Sequence, residues 1–376
     1  MRTEVLRPGD LRAAEITRWR ALQLLNPSLS SPFFTPDYVM LLGAVRPDIR
    51  IAVFESERAI EGLFAVQGSI GSAGMPAGTP ISDYSGIVAP PDTAVKLHDI
   101  CRALKLGRLD FAQVPAEQMA FAKHAQATSS AWAADIGAGS VAYFAGVRGR
   151  HRNFLYQLSR TRRKFEREHG ELDFAIAPPG SPHLETLLRW KGQQLRRANQ
   201  PEVWRRRWIR EALFRSHEAQ NPHFGGALFV LTLGDRLVAA NFCLRGGDVL
   251  HGFLMAHDRA FEAYSPGLQL MRHLLEWAPE HGVRIFDFGV GSQLYKRQFG
   301  TRQYDTVAGW AGPPSLASVT RAAQYAMRRQ IEKIPNAWVA SLPGRAMRRF
   351  DVYRGLSAPR MKTPLPALQQ FASRSC

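Results

Sequence analysis

Asp287, Tyr295 and Lys296 stand close together in the stretch IFDFGVGSQLYKRQFG, and their side chains have three different uses. A carboxylate takes a proton from a nucleophile directly or through water, a tyrosine hydroxyl returns one to a leaving group, and an ammonium holds a phosphate or a developing oxyanion. Each also has a structural reading. An Asp after a strand accepts hydrogen bonds from the next turn, a Lys is solvated and a Tyr packs. Upstream, Ser265, Pro266 and Gly267 open a second polar point, where free backbone N–H groups at a helix start attract anions.

The elements that must position these groups follow from spacing. Ser265 suits a helix cap and Pro266 its first turn; Leu268, Met271, Leu275 and Ala278 then recur at helical intervals until Gly282. Val283 to Phe288 reads as a short apolar strand, after which Gly289 and Gly291 break regular structure and leave Tyr295 and Lys296 in a polar loop. His251 falls inside an earlier strand, either as a core histidine or, by alternation, pointing into a cleft.

Upstream, the chain alternates helices and strands. Asp10 to Leu25 has a helical pattern, Ile49 to Phe54 and Ile60 to Val66 form a hairpin, and Gly68 to Pro80 reads as a loop. A helix from Thr93 to Leu104, a strand at Leu109 to Val114 and a strand at Ser140 to Val147 complete a first section. The second section begins with a basic helix from Asn153 to Glu168, a strand at Leu172 to Ile176, and helices at Pro182 to Arg197 and Glu202 to Ala219. Strands at Ala227 to Leu233, Leu237 to Leu244 and Val249 to Ala256 follow, with Gly234-Asp235 and Gly246-Gly247 as turns. This order predicts an α/β fold with a mixed sheet of the α+β kind, in which the middle strand diverges from its neighbour.

Length and charge set further bounds. The 376 residues exceed one ordinary core, and with 45% hydrophobic residues they can build two. The expected domains are 1–147, 148–312 and a basic helical extension, 313–376. Cys101, Cys243 and Cys376 have no metal-ligand or redox spacing, so no metal site is expected. No apolar run is long enough for a membrane span, and no secretory leader is visible, which predicts a cytoplasmic protein. The net charge of +17 is concentrated: Arg148 to Arg167 hold eight Lys or Arg against Glu166, and Ala317 to Cys376 hold eleven against Glu332 and Asp351. Such clusters, Arg162 and Arg163 among them, are solvated helix faces or sites for an anionic partner.

Taken together, these motifs resemble the GNAT acyltransferases, in particular the cellulose-biosynthesis-type acetyltransferases, which are related to the Fem-type peptidyltransferases. The resemblance rests on Tyr264-Ser265-Pro266-Gly267, on Asp287-Phe288-Gly289 with Gly291, and on Tyr295-Lys296. Ser31-Pro32-Phe33-Phe34, Asp83-Tyr84 and the basic helix Ser159 to Arg167 add weaker matches, so the likeness covers about Ser31 to Ala311. It implies two GNAT-like domains in tandem and an acyl-CoA donor, acetyl-CoA by default. The pantetheine would lie between the splayed strands, touching Phe253, Leu254, Met255 and Phe286, with the pyrophosphate on the amides of Ser265, Gly267 and Leu268. Backbone N–H groups from Phe253 to Ala256 would contact the oxyanion, and Asp287, Tyr295 and Lys296 would be catalytic. Asp83, Tyr84, His251, Tyr264, Arg162 and Arg163 would meet the acceptor. The chain lacks the Gln/Arg-x-x-Gly-x-Gly/Ala phosphate loop common in GNAT proteins.

The function this implies is N-acyl transfer to an amino sugar or a lipid-linked precursor in bacterial polysaccharide or envelope synthesis. The alternatives are a Fem-like transferase using charged tRNA, whose backbone the basic clusters would bind, and a catalytically silent GNAT-like binding protein. The tail either packs on a domain or lies on the inner membrane face. Two other motifs fail for want of partners: Asp287-Phe288-Gly289 has no further kinase signatures, and Leu294 stands where a dinucleotide fingerprint needs glycine.

Overall fold

A computed structural model describes residues 2–57, 59–335 and 337–359; Cys376 and the last part of the basic tail lie outside the described residues. Contacts divide the chain into Met1–Thr128 with Val307–Cys376, and Ser129–Thr306. These units differ from the sequence-derived domains at both boundaries. Residues 129–147 go with the second unit, and the basic extension goes with the first.

The first unit contains β1 (Arg2–Leu6), α1 (Ala13–Leu24), α2 (Pro36–Val45), β2 (Ile49–Glu55), β3 (Ile60–Gln67) and β4 (Ala73–Pro76). Next come α3 (Leu97–Ala103), β5 (Arg108–Pro115) and α4 (Met119–Ala122). The strands run in the order β1-β2-β3-β4-β5, antiparallel except for the parallel β4–β5 pair. Phe64, Ile100, Leu104, Phe111 and Phe121 fill the core. The segment expected as a loop at Gly68 to Pro80 holds β4, because Met75 and Pro76 pair with Gln67 and Val66 of β3 while Ala73 and Gly74 pair with β5.

The second unit takes up β6 (Ala125–Asp135) from Ser129 onward, then α5 (Ser140–His169), β7 (Asp173–Ala177), α6 (His183–Arg197), α7 (Arg207–Glu218) and β8 (Gln220–Asn221). It continues with β9 (Phe224–Leu233), β10 (Arg236–Gly246), β11 (Val249–His257), α8 (Pro266–Trp277), β12 (Ile285–Val290), α9 (Leu294–Phe299) and the start of β13 (Arg302–Ala311). The strand order is β6-β12-β11-β10-β9-β7, with β11–β12 the parallel pair. Antiparallel strands with a single parallel pair thus occur in both units, at the β4–β5 end of the first and between β11 and β12 inside the second, as expected for tandem GNAT-like domains.

Two strand assignments change. Ser140 to Val147, expected as a strand, is the first part of α5. Its β-branched and aromatic residues favour a strand locally, but Tyr143, Val147, Leu155, Leu158 and Phe165 bury one helical face, and that packing outweighs propensity. Conversely β6, unremarkable in sequence because Ala and Ser dominate it, is a strand that pairs with β12.

α8 shows how sequence sets local structure. Leu270, Met271, Leu274, Leu275 and Ala278 face the core, and Gly282 at φ +74° ends the helical segment after a short 3₁₀ turn. The start departs from expectation: Ser265 has φ +52° and makes no side-chain cap. Its carbonyl instead accepts the Leu268 and Gln269 amides at 3.0 and 3.1 Å.

The extension forms α10 (Leu316–Ile331) and α11 (Ala337–Leu356). Pro343 lies within α11. Buried Asp110 of β5 anchors both helices: Arg108 Nε lies 3.0 Å and Arg321 Nε 3.1 Å from its carboxylate, Arg354 also reaches it, and Arg321 Nη2 donates to Asp351 at 2.6 Å. Arg46 adds bonds to the carbonyls of Gly355 (2.7 Å) and Ser357 (2.9 Å). Removing one carboxylate would strand several buried cations. Asp110→Ala is therefore expected to cost about 3–5 kcal/mol in urea denaturation and to expose α10 and α11 to limited proteolysis.

Candidate active site

β11 and β12 pair at only three positions, Val249 with Ile285, Leu250 with Phe286 and His251 with Asp287. Beyond these, β11 follows β10 to His257 while β12 follows β6 to Val290. Each strand carries a bulge where it leaves the other: Phe253 is the extra residue against β10, and Phe288 against β6. Bulges bend a strand and increase its twist, which turns the two apart and opens a slot between them. Gly252 permits the approach just before the opening, since a Cβ there would lie 2.9 Å from the Phe286 ring. The Phe253 amide is engaged with the buried Cys243 thiol, and Leu254 and Ala256, in phase with the Asp258 amide that donates to Val238, turn their amides to β10, which leaves Met255 as the amide on the slot side.

At the point of divergence sits a buried polar cluster. Asp287 Oδ1 accepts the Gly289 amide at 2.7 Å, and Oδ2 accepts the Tyr304 hydroxyl at 2.6 Å. The fully buried His251 ring places Nδ1 3.6 Å from Oδ1. Burial by itself would raise the Asp287 carboxyl, but His251, Tyr304 and the Gly289 amide outweigh it and hold the group below its ordinary value. Asp287 is therefore an anion at neutral pH.

Tyr295 and Lys296, expected in a loop, lie on the short helix α9. Lys296 is buried and donates to the carbonyls of Val290 (2.9 Å) and Gly289 (3.4 Å), so its ammonium covers the end of β12. Tyr295 packs edge-on against Phe288. Gly291, at φ +149°, keeps that turn open, since a Cβ there would meet the Gln293 amide and Lys296 Nζ.

The anion-binding end of the slot is smaller than expected. Pro266 has no N–H, and the Leu268 and Gln269 amides are taken by Ser265, which leaves Gly267 as the amide at the start of α8. A Cβ on Gly267 would lie 3.5 Å from Met255 and 3.7 Å from His257 Nδ1, so the start of α8 packs beside the outer end of β11. His257 is pushed down by burial, with Lys191 acting in the same direction. These groups fit an anion held by an amide, an imidazole and a lysine, without the missing phosphate loop.

Tyr264 packs against Phe165 and donates to Glu168 at 2.5 Å, so it fixes the end of α5. Arg162 pairs with Glu166 at 2.6 Å, and Arg163 is exposed. Asp83 and Tyr84 belong to the first unit, where Tyr84 is buried against Phe33 and lines a cavity of about 20 Å³. Sequence reasoning missed Tyr304, whose signal was the alternation of Tyr304 and Thr306 with polar neighbours before Val307. It also missed His257.

Residues 149–297 match the family described as acetyltransferase (GNAT) domain. The crystal structure of FemX superimposes with a TM-score of 0.52 at 10% identity, covering 86% of this chain and all (100%) of that one. The C-terminal domain of a putative lysylphosphatidylglycerol synthetase from Agrobacterium fabrum gives 0.49 at 13% identity, covering 83% and 96%. A tandem GNAT protein from the clavulanic acid biosynthesis pathway gives 0.47 at 11%, covering 82% and 98%. No curated protein matches the chain. Within the second unit, residues 149–297 are thus matched as a GNAT-type acyltransferase domain; the match includes His251, Asp287 and α9 up to Arg297 and ends before Tyr304.

A lowered carboxyl stabilises the fold above the unfolded-state value, near pH 4, and that contribution is lost as pH falls through the folded value. Tyr304→Phe removes one donor to the anion. We expect a loss of roughly 1.5–3 kcal/mol at pH 7 by urea denaturation, shrinking below about pH 4.

Proposed function

We propose that the protein is an acyl-CoA-dependent N-acyltransferase of the cellulose-biosynthesis type, acting on an amino sugar or a related envelope precursor. The observation that carries this reading is the divergence of β11 and β12 at His251 and Asp287, within a matched acetyltransferase domain. An extended pantetheine fits between two strands that no longer pair. Its thioester carbonyl would point at the amide of Met255, the donor that the β10 ladder leaves on that side, with Phe253, the Met255 side chain and Phe286 as apolar walls. Gly267, His257 and Lys191 would take the phosphates, in place of a broader amide cradle.

In the reaction the acceptor amine attacks the thioester carbon, the C–S bond breaks, and the amine proton must leave. Tyr304 offers a path: its oxygen accepts that proton while its own proton passes to Asp287 Oδ2, 2.6 Å away. His251 and the Gly289 amide hold the carboxylate in place. Tyr295 would protonate the departing thiolate, and Lys296 fixes the β12 end on which the site is built. Among the described residues no group of His, Cys, Asp and Glu could hold a metal.

Thermal shift with acetyl-CoA tests the donor. Saturation near a hundredfold over Kd is expected to add about 2.7 kcal/mol of stability, whereas stabilisation by charged tRNA alone would favour the Fem-like reading, and by neither a silent domain. With an amine panel and thiol release as the assay, Asp287→Asn and Tyr304→Phe are each expected to lower kcat by roughly 10²–10⁴ with acetyl-CoA affinity kept. Unchanged turnover in either folded variant would remove the relay.

A further inference from the structure

The two helices of the basic extension present apolar side chains to solvent on the faces opposite those that anchor them. In α10 the buried face is Ser318, Arg321 and Tyr325. About half a turn round the helix lie Leu316, Val319 and Met327, exposed by 81%, 64% and 59%. In α11 Asp351 and Gly355 face inward, while Leu342, Phe350 and Tyr353 are exposed.

Basic residues are exposed on both helices. Arg345 and Arg349 lie beside the α11 stripe, whereas Arg329, one turn after Tyr325, and Arg348, one turn before Asp351, sit nearer the anchored faces, and Lys333 follows the end of α10. The acids of this stretch, Glu332 and Asp351, are each held by an arginine at 2.6 Å, Arg328 and Arg321 respectively. The Asp110 network fixes the helices from within, so the outward faces carry apolar and cationic groups together.

We propose that α10 and α11 form a docking face for an anionic lipid surface. Aliphatic and aromatic side chains flanked by long cations are what an interfacial helix needs: the apolar stripe enters the headgroup boundary and the cations meet lipid phosphates. Nucleic acid would use the same cations and could stack on Phe350 or Tyr353. It gives no reason for exposed Leu316, Val319 and Met327, which offer bases no stacking surface. Among the described residues no helix is long and apolar enough to cross a membrane, so the contact is peripheral. This inference stands apart from the acyltransferase reading.

Co-sedimentation of the full chain with vesicles tests it. The protein is expected to partition into phosphatidylglycerol-containing vesicles at least tenfold more strongly than into phosphatidylcholine alone. Arg345→Gln with Arg349→Gln should lower that partition by roughly tenfold or more. Val319→Ser with Met327→Ser should lower it by about tenfold, and Phe350→Ser on the other helix provides a second apolar probe. All these side chains are solvent-facing, and circular dichroism checks that the variants fold. Absence of binding to anionic vesicles at low salt overturns the proposal. So does binding that follows charge alone and ignores every serine substitution, as for RNA or another polyanion.

Discussion

The interaction on which the second unit depends is the one β11 and β12 stop making after His251 and Asp287. Strands at the centre of a sheet ordinarily satisfy each other's backbone groups, and leaving them unpaired is costly unless something else takes them. Here the divergence is supported from both sides. Bulges at Phe253 and Phe288 let each strand stay paired with its outer neighbour, and Asp287 accepts the Gly289 amide released by the second bulge. The carboxylate that locks the opening thus sits at the mouth of the slot. Structural support and chemistry converge on it because a buried anion must be fully hydrogen-bonded, and those bonds place Tyr304 beside it.

Electrostatics divides the arginines of this chain into two groups. Arg108, Arg321 and Arg354 are spent on Asp110 and Asp351, where they attach α10 and α11 to β5. The exposed arginines of the same helices face solvent beside apolar side chains. A net charge counted along the sequence cannot separate these groups, since Arg321 and Arg329 look alike until the folded partner is known.

Much of the second unit was legible in its residues. The α8 stripe, Gly282 as its stop, the three strands before it and the diverging fourth follow from periodicity and turn residues, which are local properties. Ser140 to Val147 was misread, and β6 passed over, for one shared reason. Their local preferences were weak or pointed the wrong way, and burial against distant elements decided them. Lys296 was singled out for its charge, but its role in holding the Gly289 and Val290 carbonyls depends on α9 folding back over β12.

By itself the sequence determined the α8 helix and the strands around it, the concentration of charge, and the glycines and short polar residues that mark the end of β12. Only the tertiary structure decided that His251 lies across from Asp287, that Tyr304 completes the cluster from a strand further along, and that α8 offers a single open amide at Gly267. The physical reason is reach. Periodicity and turn chemistry act over a few residues, whereas a buried carboxylate takes its partners from whichever strands the sheet brings beside it.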